Sequence, residues 1–70
     1  MPSSVIAHFA YDRARETLTI RFVSGRIYAY FGVPPTVAAE LAAATSKGSY
    51  FNAVIRDRFP FRELPTASAA

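Results

Sequence analysis

The chain has 70 residues, of which 51% are hydrophobic and 19% charged, so it makes one small folded domain and a two-domain enzyme is excluded. It has no cysteine and a single histidine, His8, which excludes zinc fingers, iron–sulfur sites and a cysteine nucleophile. The formal net charge of +3 is compatible with an anionic partner without requiring one.

The first half of the sequence predicts three β-strands. Residues 1–4 contain a proline and two serines, and we expect a loosely held arm there. The first strand starts at Val5, and the apolar Ile6 on its otherwise polar side predicts a β-bulge or a covered edge. After a charged turn at 12–16, residues 17–23 alternate clearly between apolar and polar side chains. The third strand covers 26–31 and closes a hairpin.

The turn between the second and third strands decides which face the tyrosines take. A two-residue Ser24-Gly25 turn pairs Phe22 with Ile27, which places Tyr28 and Tyr30 on the opposite face from the apolar pairs. A four-residue loop keeps this assignment, whereas a three-residue loop reverses it. The tyrosine face is therefore conditional on the loop length.

The second half predicts two helices. A helix follows the two prolines and covers Thr36 to Ala44, and a second runs from about Tyr50 to Arg58. Between them Gly48 suits a left-handed helix cap. Residues 61–65 add a short extended stretch, and the small residues after it form a mobile tail.

These elements predict a two-layer α+β fold, with a three-stranded antiparallel meander followed by two helices on one face (β-β-β-α-α). One domain covers residues 5–64, between an arm at 1–4 and a tail at 65–70. The predicted core comprises the apolar residues Leu18, Ile20, Phe22, Ile27, Phe31, Val37, Leu41, Phe51, Val54 and Ile55.

Two motifs carry a resemblance to a known family. They are the pair Tyr28-Ala29-Tyr30 and, further on, the run Ser-Lys-Gly-Ser-Tyr-Phe-Asn at residues 46–52. With Leu18-Thr19-Ile20-Arg21-Phe22 before them, the chain resembles the KTSC family over residues 3–64. The resemblance implies a small stand-alone bacterial or phage protein, or a C-terminal appendage of lysyl-tRNA synthetases, with RNA binding as the candidate function. Phe59-Pro60-Phe61 departs from the family, where a tyrosine-containing run is common.

Aromatic and basic residues also favour nucleic-acid binding. Tyr28 and Tyr30 project from one strand face, where bases of single-stranded RNA can stack beside an arginine. The basic residues and an asparagine near the second helix start can meet phosphates. We predict a non-enzymatic accessory module that binds RNA or single-stranded nucleic acid with low sequence preference. Its predicted site residues are Tyr28, Tyr30, Arg21, Arg26, Lys47, Asn52 and Arg56.

Other interpretations of the same residues stay open. Tyrosines opposite Thr19 and Arg21 are also ordinary cross-strand packing, and Ser46 and Gly48 also serve simply as helix caps. The alternative function is protein–protein interaction, including a homodimer through an exposed edge strand, and in a three-stranded meander the first and third strands are the edges. No apolar run reaches the ~18 residues of a membrane span. We expect a cytoplasmic protein without cofactor, metal or membrane partner.

Overall fold

The protein has a four-stranded antiparallel sheet with a helical layer on one face. The structure, a computed structural model, describes residues 6–65, so the predicted arm at 1–4 and the tail beyond Pro65 lie outside the described residues. The strands are β1 (Ile6–Asp12), β2 (Thr17–Phe22), β3 (Ile27–Tyr30) and β4 (Phe61–Leu64). The helices are α1 (Pro35–Ala43) and α2 (Lys47–Tyr50), and α2 continues into a π-helical turn (Phe51–Ile55).

The fourth strand corrects the predicted sheet. The extended stretch after the helices is β4, which pairs antiparallel with β3 and gives the strand order β1-β2-β3-β4. Pairing starts where the backbone N–H of Phe31 donates to the carbonyl of Pro60 at 2.9 Å. The α+β class is correct, but the three-strand count is wrong. Because β3 is paired on both sides, it is not an edge of the sheet; β1 and β4 are the edge strands, and a dimer through an edge strand stays a prediction.

The hairpin between β2 and β3 has a three-residue loop. The N–H of Phe22 donates to the carbonyl of Arg26 at 2.9 Å, and the N–H of Gly25 donates to the carbonyl of Phe22 at 2.8 Å. Gly25 adopts a φ of +98°, the left-handed conformation that such a loop requires at this position. Ile20 therefore pairs with Tyr28 instead of Ala29, and the predicted register is wrong by one residue.

The shifted register exchanges the two faces of β3. Leu18 pairs with Tyr30, so both tyrosines share the helix-covered face with the apolar residues of β2. Ile27 and Phe31, predicted for the core, fall on the opposite face by strand alternation. Tyr30 and Val33 take part in the core instead. The fully buried side chains are Leu18, Ile20, Val33, Leu41 and Ile55.

The first strand confirms the predicted bulge. Its pairing with β2 shifts between Ile6 and His8, which pair with Phe22 and Arg21 respectively. In a regular strand, residues three apart point to opposite faces. The bulge changes this, so Ile6 and Phe9 both pack against the core.

The helical layer begins much as predicted, but its second part differs. α1 has Pro35 at its start, and Leu41 is its fully buried residue. α2 begins at Lys47, before the predicted Tyr50, because the Ser46 hydroxyl oxygen accepts from the N–H of Ser49 at 3.3 Å and caps it. Gly48 is a buried residue inside α2, so its predicted role as a left-handed cap is wrong.

Two tyrosine hydroxyls connect separate elements of the fold. Tyr11 on β1 donates to the carbonyl of Val33 at 2.6 Å, which ties the loop before α1 to the sheet. Tyr50 on α2 donates to Glu40 Oε1 on α1, also at 2.6 Å. Neither helix in residues 6–65 has the length and apolar character needed to cross a membrane.

Candidate functional site

An open pocket lies between the helical layer and the β3–β4 side of the sheet. Its volume is about 560 Å³, within the range of ligand sites in proteins. Five aromatic rings form its walls and three polar side chains its rim, and we call the whole the aromatic pocket. Its residues are Phe22, Tyr28, Tyr30, Phe51 and Phe61 in the walls and Asn52, Arg56 and Asp57 at the rim.

The five rings contact one another in a continuous cluster. The ring centre of Tyr28 lies 5.6 Å from that of Phe22 and 5.5 Å from that of Phe61. Tyr30 lies 5.4 Å from Phe51 and 5.5 Å from Phe61. The contacts are tilted or edge-on, which is the geometry that aromatic pairs prefer. Phe61 remains 54% exposed, so part of the aromatic surface faces solvent.

The hydroxyl of Tyr30 is a polar group inside this apolar wall. Tyr30 is only 4% exposed, yet its hydroxyl has no hydrogen bond to any residue within 6–65. Every side-chain oxygen of the buried and half-buried residues in 6–65 has either a hydrogen-bond partner or contact with solvent, so this hydroxyl is in contact with solvent. Burial is the main cause that raises the pKa of Tyr30, and the tyrosine stays a neutral donor and acceptor at neutral pH.

The π-helical turn places the rim residues. The N–H of Arg56 donates at 2.9 Å to the carbonyl of Phe51, five residues earlier. In a regular helix with 3.6 residues per turn, a residue five positions on points about 140° away. The wider turn places Arg56 on the same side of the helix as Phe51, five residues before it, and Asp57 on the same side as Asn52. Such turns occur frequently at functional sites.

Arg26 lies next to the pocket residue Tyr28, and a nearby carboxylate partly compensates its charge. Its Nη1 is 3.8 Å from Glu63 Oε2, and the hydroxyl of Tyr28 donates a long hydrogen bond of 3.5 Å to Glu63 Oε1. A side-chain hydrogen bond with Tyr28, followed by the charge of Glu63, raises the pKa of Arg26. Arg26 is therefore less available to a phosphate than its charge alone indicates.

The structure separates the other two predicted cations from the pocket. Arg21 pairs in register with His8 and Ile27, which places it on the uncovered face of the sheet. The prediction that Arg21 faces the tyrosines is wrong because it depended on the two-residue turn. Lys47 Nζ donates to the carbonyl of Ala44, just after α1, at 3.4 Å. The pocket thus contains four of the predicted site residues, namely Tyr28, Tyr30, Asn52 and Arg56.

Sequence reasoning missed four pocket residues. Phe22 and Phe51 were expected as core residues only, although both have an edge facing the pocket. Asp57 was not among the predicted site residues, and Phe61 belongs to the strand that was not counted. The π turn that places Asp57 has no sequence signal, because the apolar spacing before it fits a regular helix equally well.

Comparisons with known proteins agree on one family. The model of the KTSC domain matches residues 2–59. A lysine–tRNA ligase of Nostoc punctiforme is 49% identical over 61 residues, which are 87% of this chain and 11% of the ligase. A second lysine–tRNA ligase, from Trichormus variabilis, is 44% identical over the same shares. The chain spans only about a tenth of the length of these ligases.

Proteins of similar length also match. A protein of Tsukamurella paurometabola is 42% identical over 57 residues, which cover 81% of this chain and 85% of that protein. The crystal structure of a KTSC domain protein from Yersinia pestis superposes with a TM-score of 0.82 at 34% identity. The superposition covers 93% of this chain and 94% of that one, so the fold described above accounts for nearly all of both chains.

Proposed function

This chain belongs to the KTSC domain family, as its sequence resemblance predicted, and we propose that it is a module that binds single-stranded RNA by taking an unpaired base into the aromatic pocket. It acts by binding, without catalysis. The observation that carries this proposal is the open cluster of five rings with an arginine at its rim.

The walls of the pocket suit a planar aromatic ligand. Stacking on an aromatic side chain stabilises a bound base by about 1–3 kcal/mol, and an edge-on ring beside it closes the site laterally. Tyr28 and Phe61 both present ring surface to the opening, because Tyr28 is half-buried and Phe61 is 54% exposed. A base-sized ligand can therefore enter without unfolding the core.

The rim suits a nucleotide better than an uncharged ring. Arg56 is exposed and has no ion pair with any residue of the described range 6–65, so its guanidinium is available to a phosphate. Asn52 adds an amide that can both donate and accept. Together they provide a backbone contact and an edge contact next to the stacking surface.

The relatives favour RNA over DNA as the ligand. The ligases that match most of this chain carry tRNA in their name, and this chain corresponds to a small part of each. A domain that is part of a tRNA-dependent enzyme lies close to RNA, so RNA is the nucleic acid that we expect it to bind. Recognition of unpaired bases is also the common way in which proteins bind RNA.

The proposal is tested by fluorescence-anisotropy titration of a short labelled RNA of mixed sequence at about 50 mM and 200 mM salt. We expect saturable binding at the lower salt that weakens at the higher. Tyr28→Ala removes a stacking surface and should weaken binding about tenfold, within the range of one lost stack. Circular dichroism establishes that the variant is folded.

Thr19→Ala is the matched control, because Thr19 is on the same hairpin but faces the uncovered side of the sheet. It should change the affinity less than twofold. No saturable binding at the lower salt would reject the proposal, and a protein partner would then be the function to test. Equal losses for the two variants would place the RNA outside the pocket.

A further inference from the structure

The rim of the aromatic pocket holds two opposite charges side by side. Arg56 and Asp57 are consecutive and both line the pocket, at the end of the π turn. Neither forms an ion pair with a residue in the described part of the chain, and both side chains belong to exposed residues. Both groups are thus available to a ligand, Arg56 to a phosphate and Asp57 to hydrogen-bond donors.

The charges of Arg56 and Asp57 both affect the hydroxyl of Tyr30 in the pocket wall. The charge of Arg56 lowers the pKa of Tyr30 while that of Asp57 raises it, after the larger effects of burial and of Tyr28. The two charges therefore lie within electrostatic reach of the Tyr30 hydroxyl, which has no hydrogen-bond partner among residues 6–65. A ring that stacks in the pocket therefore lies near these three groups, all of which line it.

We infer that the base held in the aromatic pocket is guanine in preference to adenine, cytosine and uracil, with Asp57 accepting from its donor edge while Arg56 contacts the adjacent phosphate. This inference rests on the proposed function. A carboxylate accepts two parallel hydrogen bonds, and guanine is the base that offers two adjacent donors, N1–H and the 2-amino group.

The other bases fit this rim less well. Adenine presents ring nitrogens that accept, so at least one carboxylate oxygen would face another acceptor. Cytosine and uracil each offer a single donor group on the pairing edge, so the carboxylate loses one of its two parallel hydrogen bonds. Because a neutral, unmatched acceptor beside a carboxylate costs more than a missing contact, the discrimination comes from Asp57.

The test compares short RNAs that consist of uridines with one central G, A or C. We expect the RNA with G to bind more tightly than the other two, on the order of tenfold for one matched edge. Asp57→Asn replaces one acceptor oxygen by a donor group of the same size and should remove this preference. Glu16→Gln changes the net charge equally, lies outside the pocket, and should keep it.

Free nucleotides separate this inference from the proposed function. GMP and AMP are titrated into the isotope-labelled full chain, and the backbone amide signals of Asn52 and Arg56 are followed by NMR. RNA binding without base preference, or a preference that survives in Asp57→Asn, would overturn the guanine inference and leave RNA binding intact. GMP shifts without RNA binding would support a guanine site and reject the nucleic-acid function. Binding of neither would overturn both.

Discussion

Two adjacent regions lie between the sheet and the helical layer, and they differ in their exposure to water. One is the sealed core, formed by side chains that are 0% exposed, namely Leu18, Ile20, Val33, Leu41 and Ile55. The other is the aromatic pocket, where Phe61 is 54% exposed and the Tyr30 hydroxyl reaches solvent. Tyr30 and Phe51 belong to both regions and form the boundary between them.

The difference follows from how far the helical layer extends. Leu41 of α1 and Ile55 of the π turn pack in one cluster with Leu18 and Ile20 of β2. Within residues 6–65, no further helix follows the π turn before β4. Large rings on β3 and β4 then stand next to a short helical layer and leave a gap. We conclude that the sealed core carries the stability of the fold, while the aromatic pocket stays open to solvent and is the proposed binding site. The predictions below test this division.

The largest expected effect is in the sealed core. Ile55→Ala should lower the free energy of unfolding by about 2–5 kcal/mol because it leaves a cavity among fully buried side chains. Phe61→Ala should cost about 1–2 kcal/mol, since more than half of that side chain is already in water. Urea unfolding followed by circular dichroism measures both.

A small domain has little stability to lose, so Ile55→Val provides a milder change of about 0.5–1.5 kcal/mol if the alanine variant is unfolded. If Phe61→Ala lowered the free energy of unfolding as much as Ile55→Ala, the pocket would be part of the structural core, and the division between the two regions would be wrong.

The next effect separates the pocket from the uncovered face. Arg56→Gln should weaken RNA binding and make the slope of log K against log salt shallower by about 0.7, the value for one phosphate contact on a single strand. Arg21→Gln removes the same charge from the opposite face of the sheet and should leave the slope unchanged. Anisotropy titrations over a range of salt concentrations give both slopes. Equal changes of slope in the two variants would mean that RNA binding depends on the net charge of the protein and not on the position of the arginine.

The smallest effect concerns the helical layer. The hydrogen bond from Tyr50 to Glu40, with smaller effects of burial and of the carboxylate charge, raises the pKa of Tyr50 from 10.0 to about 12. The stabilisation from this bond is therefore complete below pH 10 and is lost as the pH rises through about 12. The difference in unfolding free energy between the native chain and Tyr50→Phe should shrink over that interval.

Tyr50→Phe should leave RNA binding unchanged at neutral pH, because Tyr50 does not line the aromatic pocket. A constant stability difference from pH 9 to 12 would mean that the bond to Glu40 does not form in solution.

Local patterns predicted the elements better than their pairing. The alternation of β2 and the apolar Ile6 correctly predicted a half-buried strand and a bulge, because both depend on a few neighbouring residues. The register of the hairpin depended on one residue of loop length. Ser24-Gly25 fits a two-residue turn and also the end of a three-residue loop, and only the pairing of the whole strand selects between them.

The site was found in part, through an argument that was itself wrong. Tyr28 and Tyr30 were expected on an open sheet face beside Arg21, and they instead line a pocket with Asn52 and Arg56. The link between these residues is long-range, since it needs the register of β3, the pairing of β4 and the π turn together. None of these three leaves a local signal that selects it over its alternative.

The most direct test of the account is to locate bound RNA on the two faces of the sheet. The isotope-labelled full chain is titrated with a short single-stranded RNA, and the backbone amide signals are followed by NMR. The account predicts that the signals of Tyr28, Asn52 and Arg56 shift together and saturate, while those of Thr19 and Arg21 stay in place. Saturating shifts confined to Thr19 and Arg21 would contradict it, because the ligand would then occupy the uncovered face.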